Sequence, residues 1–346
     1  MNILAIDTSC DETAASVTNG RRILSNIIYS QILLHADYGG VVPLIAKRAH
    51  EERIDGVVEL AVKKAHLNWI DIDAIAVTQG PGLAIALGVG IQKAKELASH
   101  HKKPLIGVNH LEGHLYSVFA QNSKSNPPRP MQFPYLGMII SGGHTEFVLW
   151  KSYLEYEILG VTLDDAAGEA LDKAGKLLGL GYPGGAVIER LAQSVHNCDD
   201  YHFPRPMIHS GNLQFSFAGL KTSFYYYLKT ITEAEKNAKV AQLASAFQEA
   251  VFDTLVIKTE KAIQQTGVAN IVIGGGVSAN QYLRKRMRKL VGQYHGTVQF
   301  PSFKVLTGDN AAMIGIAAWK KGEGKVFSTI ETLERMPRMQ IISSCN

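Results

Sequence analysis

Residues 2–17, NILAIDTSCDETAASV, and residues 135–150, YLGMIISGGHTEFVLW, have the same layout: an apolar strand, a turn of small and polar residues, and a second strand. Laid over one another, they set SGGHT against DTSCDET. A chain that carries such a unit twice must bury two sheets of the same kind, so the repeat narrows the fold more than any single motif. After the first copy, Asn19-Gly20 marks a hairpin turn into RILSNIIYSQ. Residues 46–66 predict an amphipathic helix, and IDAIAVTQG (72–80) a buried strand ending in Gly80-Pro81-Gly82. A helix through about residue 99, the strand PLIGVNH and a helix beginning near Leu111 complete the first half.

After the second copy the pattern predicts helices at 162–179, 184–195 and about 236–266. The strand NIVIGGG, a helix from Ala279, a short strand TVQF and a helix from Asp309 follow. The chain has 346 residues, enough for two domains with cores of their own. The expected fold is α/β and duplicated: the actin, sugar-kinase and heat-shock-chaperone architecture (RNase H-like), with two similar lobes around a central cleft that pinches a nucleotide. One large doubly wound domain is the alternative. The expected boundaries are 1–133 for the N-terminal lobe, 134–325 for the C-terminal lobe and 326–346 for a tail. Residues 196–235, rich in aromatic and basic side chains, break the second βα pattern and read as an insert or rim segment.

Four turns each follow a predicted strand: DTSCDET (7–13), ISGGHT (140–145), YPGG (182–185) and IGGGVSAN (273–280). Glycines let backbone N–H groups converge on an anion, and a helix N-terminus adds about half a positive charge. Neither G-x-G-x-x-G nor the Walker pattern is present, which disfavours a dinucleotide fold and a P-loop.

In NHLEGHLYS (109–117), His110 and His114 stand four apart at the end of a predicted strand. On a helix both imidazoles share one face. The pair reads as incidental helix surface or as two ligands of a metal that a carboxylate or water must complete. Candidate carboxylates at strand ends or helix starts are Asp7, Asp11, Glu12 and Asp309; the last reads equally as a plain N-cap. The string is close to the zinc-protease motif H-E-x-x-H, but Glu112 comes one place late. It lies roughly 200° round the helix from His110 and cannot face a metal-bound water. A capping role or a neighbouring cation is the expected use of Glu112.

A net charge of +4 permits an anionic partner without demanding one. Cys10, Cys198 and Cys345 are odd in number and scattered, which predicts a reducing compartment. The start MNILAIDTSCDET lacks the basic region of a signal peptide, and no run approaches ~18 apolar residues, so no membrane span is expected.

The segments IDTSCDETAASV, QILLHADYGGVVP, TQGPGLAIALGVG, VNHLEGHLYS, ISGGHTEFV, TLDDAAGEALDKAGKLLGLGYPGG, FSFAGLKT, GGGVSAN and GDNAAMI, in order from about residue 1 to 320, resemble the tRNA N6-adenosine threonylcarbamoyltransferases of the bacterial TsaD branch, formerly labelled O-sialoglycoprotein endopeptidases. The resemblance implies the duplicated actin-like fold and one divalent metal on His110, His114 and Asp309, most often Fe(2+), with Zn(2+) or Mg(2+) taken in vitro. It implies that Ile139, Ile140, Ser141, Gly142 and Gly143, with Asp172, Gly185 and Asn280, line the site for threonylcarbamoyl-adenylate. It implies transfer of the threonylcarbamoyl group to the N6 amine of adenosine 37 in the anticodon loop of tRNAs reading ANN codons, with release of AMP, in the cytoplasm. It also implies two protein partners: a degenerate paralogue and a small P-loop ATPase. The chain departs from the family at Leu44, where a glutamate is usual, at Lys47, where a serine is usual, and in GDNAAM in place of TDNGAM.

On this reading Asp11 or Glu12 is a candidate to accept the amine proton, with turn stabilisation as the plain alternative. Candidate phosphate contacts for tRNA are Arg284, Lys285, Arg286, Arg288 and Lys289, and Lys47, Arg48 and Arg53, each of which also reads as a solvated helix face. The aromatic run 223–227 reads as core or as a base-stacking surface. A metalloprotease and an actin-like ATPase or sugar kinase are the competing readings; the histidine pair argues against a Mg2+ kinase, since Mg2+ prefers oxygen.

Overall fold

The computed structural model describes residues 1–341. Cys345 lies outside them. Among the described residues, ten strands form two five-stranded sheets. The first holds β1 (Asn2–Asp7), β2 (Glu12–Asn19), β3 (Arg22–Ser30), β4 (Ala74–Gly80) and β5 (Leu105–Asn109) in the order β3-β2-β1-β4-β5. β1 pairs antiparallel with β2 and parallel with β4, and β5 runs parallel to β4. The second holds β6 (Tyr135–Ile140), β7 (Thr145–Ser152), β8 (Glu155–Val161), β9 (Asn270–Gly274) and β10 (Thr297–Gln299) in the order β10-β9-β6-β7-β8. β6 is antiparallel to β7 and parallel to β9, and β10 is parallel to β9. From the hairpin edge, both sheets read third, second, first, fourth, fifth strand. The repeat seen in the sequence is therefore a repeat of topology. The alternative of one large doubly wound domain is excluded.

The two core strands of each sheet are apolar because both faces are covered. β1 and β4 bury Ile3, Leu4, Ile6, Ile75 and Val77 completely, and β6 and β9 do the same with Leu136, Met138, Ile271 and Ile273. β8 was not predicted: its exposed Glu155 and Glu157 alternate with apolar residues at a sheet edge, a pattern easily taken for a loop.

The chain forms two compact units. One comprises residues 1–133, 152–156 and 301 onward; the other comprises 134–151 and 157–300. The helix Ala311–Glu323, expected in the C-terminal lobe, thus belongs with the first sheet, on which it buries Ile314, Ile316 and Ala317. The tail belongs there too. Ser328 N–H donates to the Leu105 carbonyl and Met336 N–H to that of Gln79, each at 2.8 Å, and Leu333 is buried. Residues 196–235 are not a rim: Phe203, Phe215, Phe217, Leu220 and Phe224 lie in the core of the second unit, the last two on a helix (Ala218–Lys229) that aromatic and basic composition hid.

Among the described residues one helix, Val240–Thr266, is long and apolar enough to cross a membrane by length and composition. It is the core helix of the second unit, burying Leu243, Phe247, Val251 and Leu255. Its polar side chains grip the segment after residue 196: Ser245 Oγ donates to the Cys198 carbonyl at 2.7 Å, and Lys258 Nζ to Ser210 Oγ at 2.7 Å and the Asn212 carbonyl at 2.9 Å.

Candidate metal centre and anion pocket

In the first unit, β5 runs directly into the helix His110–Ser117. Asn109 makes the junction sharp: its Oδ1 accepts from Leu111 N–H at 2.8 Å as the N-cap, and its Nδ2 donates to the Gln340 carbonyl at 2.9 Å. Every residue of the helix is buried, so the histidines are not incidental surface. Their rings meet edge to face, centroids 4.7 Å apart. Asp309 completes the set from the loop before the helix Ala311–Glu323. Its Oδ1 is 3.4 Å from His110 Nε2 and 3.4 Å from His114 Nε2. The capping role considered for Asp309 falls to Asn310, whose Oδ1 accepts from Met313 N–H at 3.0 Å.

This donor set fits a divalent metal. Atoms each about 2.1 Å from one ion sit roughly 3.0–3.4 Å apart; Asp309 Oδ1 stands at 3.4 Å from each imidazole nitrogen, and the three ligand atoms all lie within 4.8 Å of one another. His114 is fully buried, and its Nε2 has no hydrogen-bond partner among the described residues, which a metal ligand at that atom explains. Burial holds the His114 pKa below the ordinary value, so its imidazole is neutral and able to ligate. His110 is braced from behind: its Nδ1 lies 3.2 Å from Ser9 Oγ and 3.8 Å from Asp7 Oδ2, leaving Nε2 for the metal. Asp7 is itself fixed, its Oδ1 accepting from Thr78 Oγ at 2.8 Å and Ser9 N–H at 3.1 Å. Two nitrogens and one oxygen suit Fe(II), Zn(II) or Mn(II) better than the all-oxygen shell of Mg(II).

The charges agree. Burial works against a cation at His110, yet Asp309 and Asp7 push its pKa up to about 9 in the metal-free site. Burial works against ionisation of Asp309, but the two histidines hold its carboxyl well below the usual range. Glu12 is pushed up to about 10 by burial and then by Asp11 and Asp309. Without a metal its carboxyl is protonated at neutral pH and is no base; a dication at the neighbouring triad would lower its pKa. Glu12 accepts from Ser30 Oγ at 3.3 Å, and the Asp11 backbone carbonyl accepts from Gln31 N–H at 3.0 Å, so both acids also hold the turn. Burial raises the Cys10 thiol well above its usual pKa, which leaves it inert.

Glu112 points elsewhere, as its angle on the helix predicted. Its Oε2 pairs with Lys321 Nζ at 3.1 Å, both side chains being almost fully buried. Sequence reasoning missed Asp7 and Ser9 as braces and Lys321 as the cation. Only DTS at a strand end hinted at the first two.

The second unit carries a separate pocket of about 690 Å³, its solvent-open part included. Its lining includes Gly142, Asp172, Gly185, Glu189, Gly276 and Asn280. Three helices begin on it: Ala167–Leu177, Gly185–Ser194 and Gln281–Gln293. Their N-termini together favour an anion. Gly142 and Gly276 have open space where a Cβ would stand, and Gly142 and Gly143 make no backbone hydrogen bond among the described residues. Gly275 is different. It sits at φ +92°, and a Cβ there would lie 2.4 Å from the Ile140 carbonyl oxygen, so the end of β9 passes β6 only as glycine.

Of the residues expected here, Gly142, Asp172, Gly185 and Asn280 come together on the pocket. Ile139 and Ile140 do not line it; they are fully buried in β6 and position the turn. Ser141 N–H, expected to meet an anion, donates instead to the His144 carbonyl at 2.8 Å. Asp172 Oδ1 accepts from the N–H groups of Gly184 and Gly185 at 2.9 and 3.0 Å, which fixes the turn into the second of the three helices.

The basic run on Gln281–Gln293 is not one outward patch. Arg286 pairs inward with Glu249 at 3.0 Å and Asp253 at 2.5 Å, Arg284 lies over the Phe300 ring and donates to the Ser278 carbonyl, and Lys285, Arg288 and Lys289 are exposed. Lys47 pairs with Glu51 at 3.1 Å, Arg48 is exposed, and Arg53 stands over Tyr29. In the run 223–227, Phe224 is core, while Tyr225 and Tyr226 are exposed.

A family model described as TsaD, tRNA N6-adenosine threonylcarbamoyltransferase, matches residues 22–316. The protein of that description from Trichlorobacter lovleyi is 48% identical over 318 residues, which cover 92% of this chain and 90% of that protein. The one from Kosmotoga olearia is 43% identical over 343 residues, covering 99% and 100%. Among solved structures, HypF of T. kodakarensis superimposes with a TM-score of 0.63 at 17% identity over 93% of this chain and 48% of that one. The activator of 2-hydroxyisocaproyl-CoA dehydratase from Clostridium difficile gives 0.54 at 13% over 94% and 97%. At those identities the likeness is one of fold, the duplicated actin-like fold.

Proposed function

The chain belongs to the tRNA N6-adenosine threonylcarbamoyltransferase family, and on that premise we propose that it transfers a threonylcarbamoyl group from threonylcarbamoyl-adenylate to the N6 amine of adenosine 37 in tRNAs reading ANN codons, releasing AMP. The observation that carries the reading is the triad of buried His110 and His114 with half-buried Asp309 on a family member's scaffold. Fe(2+) is the metal we assign to it, in keeping with the two-histidine, one-carboxylate donor set. When bound, such an ion would supply Lewis-acid polarisation of an acyl carbonyl.

The chain's own residues do the rest. An exocyclic adenine amine is a poor nucleophile, whereas the donor is already activated and AMP leaves readily, so holding the reactants and stabilising charge matter most. The N–H group of Gly142 and the three helix N-termini suit the adenylate phosphate. Asp172 and Asn280 suit its ribose and base. Asp11, or Glu12 once its pKa is lowered, takes the amine proton. The acceptor adenosine is an unpaired loop base that can be splayed out of its stack. Exposed Lys285, Arg288, Lys289 and Arg48 are the basic residues left for tRNA phosphates. The motif match further supports a degenerate paralogue and a small P-loop ATPase as partners. The free thiols of Cys10 and Cys198 suit a reducing, cytoplasmic setting.

The glycoprotease reading loses its base, because Glu112 is paired with Lys321. The test is single-turnover transfer with adenylate donor and tRNA, run beside a glycoprotein and beside ATP with sugars. Transfer to tRNA alone is expected. Cleavage of the glycoprotein or sugar phosphorylation without tRNA modification would overturn the proposal.

A further inference from the structure

Gln248 is fully buried in the middle of the helix Val240–Thr266 and is not itself among the residues that line the pocket. It is nevertheless joined to the pocket. Its Oε1 accepts from Asn280 Nδ2 at 3.1 Å, and its Nε2 donates to Asn197 Oδ1 at 3.1 Å.

The directions of these bonds are fixed by chemistry. Leu283 N–H can only donate, and it donates to Asn280 Oδ1 at 3.0 Å, capping the helix Gln281–Gln293. Asn280 Nδ2 must therefore be the donor toward Gln248. Gln248 then accepts with Oε1, so its Nε2 is the donor toward Asn197. An amide nitrogen has two protons. Gln248 takes one, and Asn280, 8% exposed and on the pocket wall, offers the other to the pocket.

The far end of the relay is equally defined. Asn197 sits at φ +54° in the turn that closes the helix Gly185–Ser194, and its N–H donates to the Ala192 carbonyl at 2.8 Å. Gln248 thus bridges the C-terminal turn of one helix and the N-cap of another, and both helices begin on the same pocket.

We propose that Gln248 is a positioning residue that holds the Asn280 amide as a hydrogen-bond donor toward a nucleotide acceptor, a hydroxyl or ring-nitrogen atom, in this pocket. The inference rests on the reading of the pocket as the adenylate site. Replacing Gln248 by Met keeps the length and burial and removes both bonds. The Asn280 amide then loses the partner that fixes its torsion while its Oδ1 still caps the helix.

The test is a double-mutant cycle on the full chain with AMP as the probe, read by calorimetry, with metal content and unfolding midpoint measured on each protein. Asn280→Ala is expected to weaken AMP binding about tenfold, the size of one good hydrogen bond. Gln248→Met is expected to weaken it by a similar factor, and to have no further effect in the Asn280→Ala background, because it acts through that amide. Metal content should not change in either. Full AMP affinity in folded Gln248→Met beside a weakened Asn280→Ala would overturn the positioning role and leave the pocket reading standing. Full affinity in Asn280→Ala would overturn both. Two losses that simply add would show a general effect on packing and would also overturn the role. Should Gln248→Met unfold, Asn197→Gly tolerates the positive φ and removes the acceptor that anchors Gln248 Nε2; it is expected to weaken AMP binding about threefold and to add nothing in the Asn280→Ala background, and full affinity in folded Asn197→Gly contradicts the inference.

Discussion

The two sheets have one topology and opposite equipment. In the first unit the turn after β1 carries the acids Asp11 and Glu12, and the strand β5 ends in the histidine pair, beside which stand the carboxylates of Asp309 and Asp7. In the second unit the matching turn after β6 is Ser141-Gly142-Gly143, and three helix N-termini gather round space for an anion. Strand order is thus shared, and the chemistry is set by which side chains occupy the strand ends. That is where α/β sheets present ligands. On the proposed function, one copy of the duplicated fold holds the metal and the other the anion.

The comparison breaks most plainly if the first unit holds metal without its histidines. His110→Ala/His114→Ala should lose the metal, and transfer should fall by ~10²-fold or more, since a Lewis acid contributes several kcal/mol; elemental analysis beside single-turnover transfer checks both. Full occupancy in that variant would remove the triad from the account.

Next in size is the ion pair behind the triad. Lys321→Met strands the Glu112 carboxylate in the interior, and the expected loss is about 3–5 kcal/mol of stability in denaturant unfolding. Glu112→Gln/Lys321→Met should recover most of it. Glu112→Gln alone should keep the metal and most of the transfer activity; abolished transfer with metal and fold intact would restore Glu112 as a base.

A third effect is in pH. Below about pH 9 the metal-free His110 is protonated, and only the neutral ring can ligate. Metal binding must expel that proton, so affinity should rise by about tenfold per pH unit from pH 6 toward 9, as read by chelator competition. A flat profile would mean that His110 is not a ligand.

Within the second unit, two neighbouring glycine turns sharpen the contrast. Gly275→Ala should destabilise the unit by about 1–3 kcal/mol, from its positive φ and the contact with the Ile140 carbonyl. Gly142→Ala should leave the melting temperature unchanged, because its Cβ enters open space.

The sequence revealed the duplication because both copies keep the strand–turn–strand rhythm, and it revealed His110 and His114 because a spacing of four on one helix is a local fact. Asp309 could be named only as one of several acids, since a helix start suits a cap as well as a ligand; Asn310 taking the cap decides between them. Lys321, Ser9 and Gln248 were not legible. Their partners are far away in the chain, and pairings of that kind are set by tertiary packing rather than by pattern. The same is true of the last helix, whose place beside the first sheet nothing in its own periodicity announces. The aromatic segment after residue 196 looked like a rim because composition reports polarity and not which face is buried.

The most direct measurement crosses the two sites on two variants. His114→Ala and Gly142→Val are each assayed for metal content and for AMP affinity by calorimetry. The account predicts that His114→Ala loses the metal and binds AMP as the parent does, whereas Gly142→Val keeps the metal and binds AMP about tenfold more weakly, because its side chain fills the space the backbone leaves for an anion. Unchanged AMP binding in a folded Gly142→Val protein, or metal loss in that variant, would contradict the division of labour between the two halves.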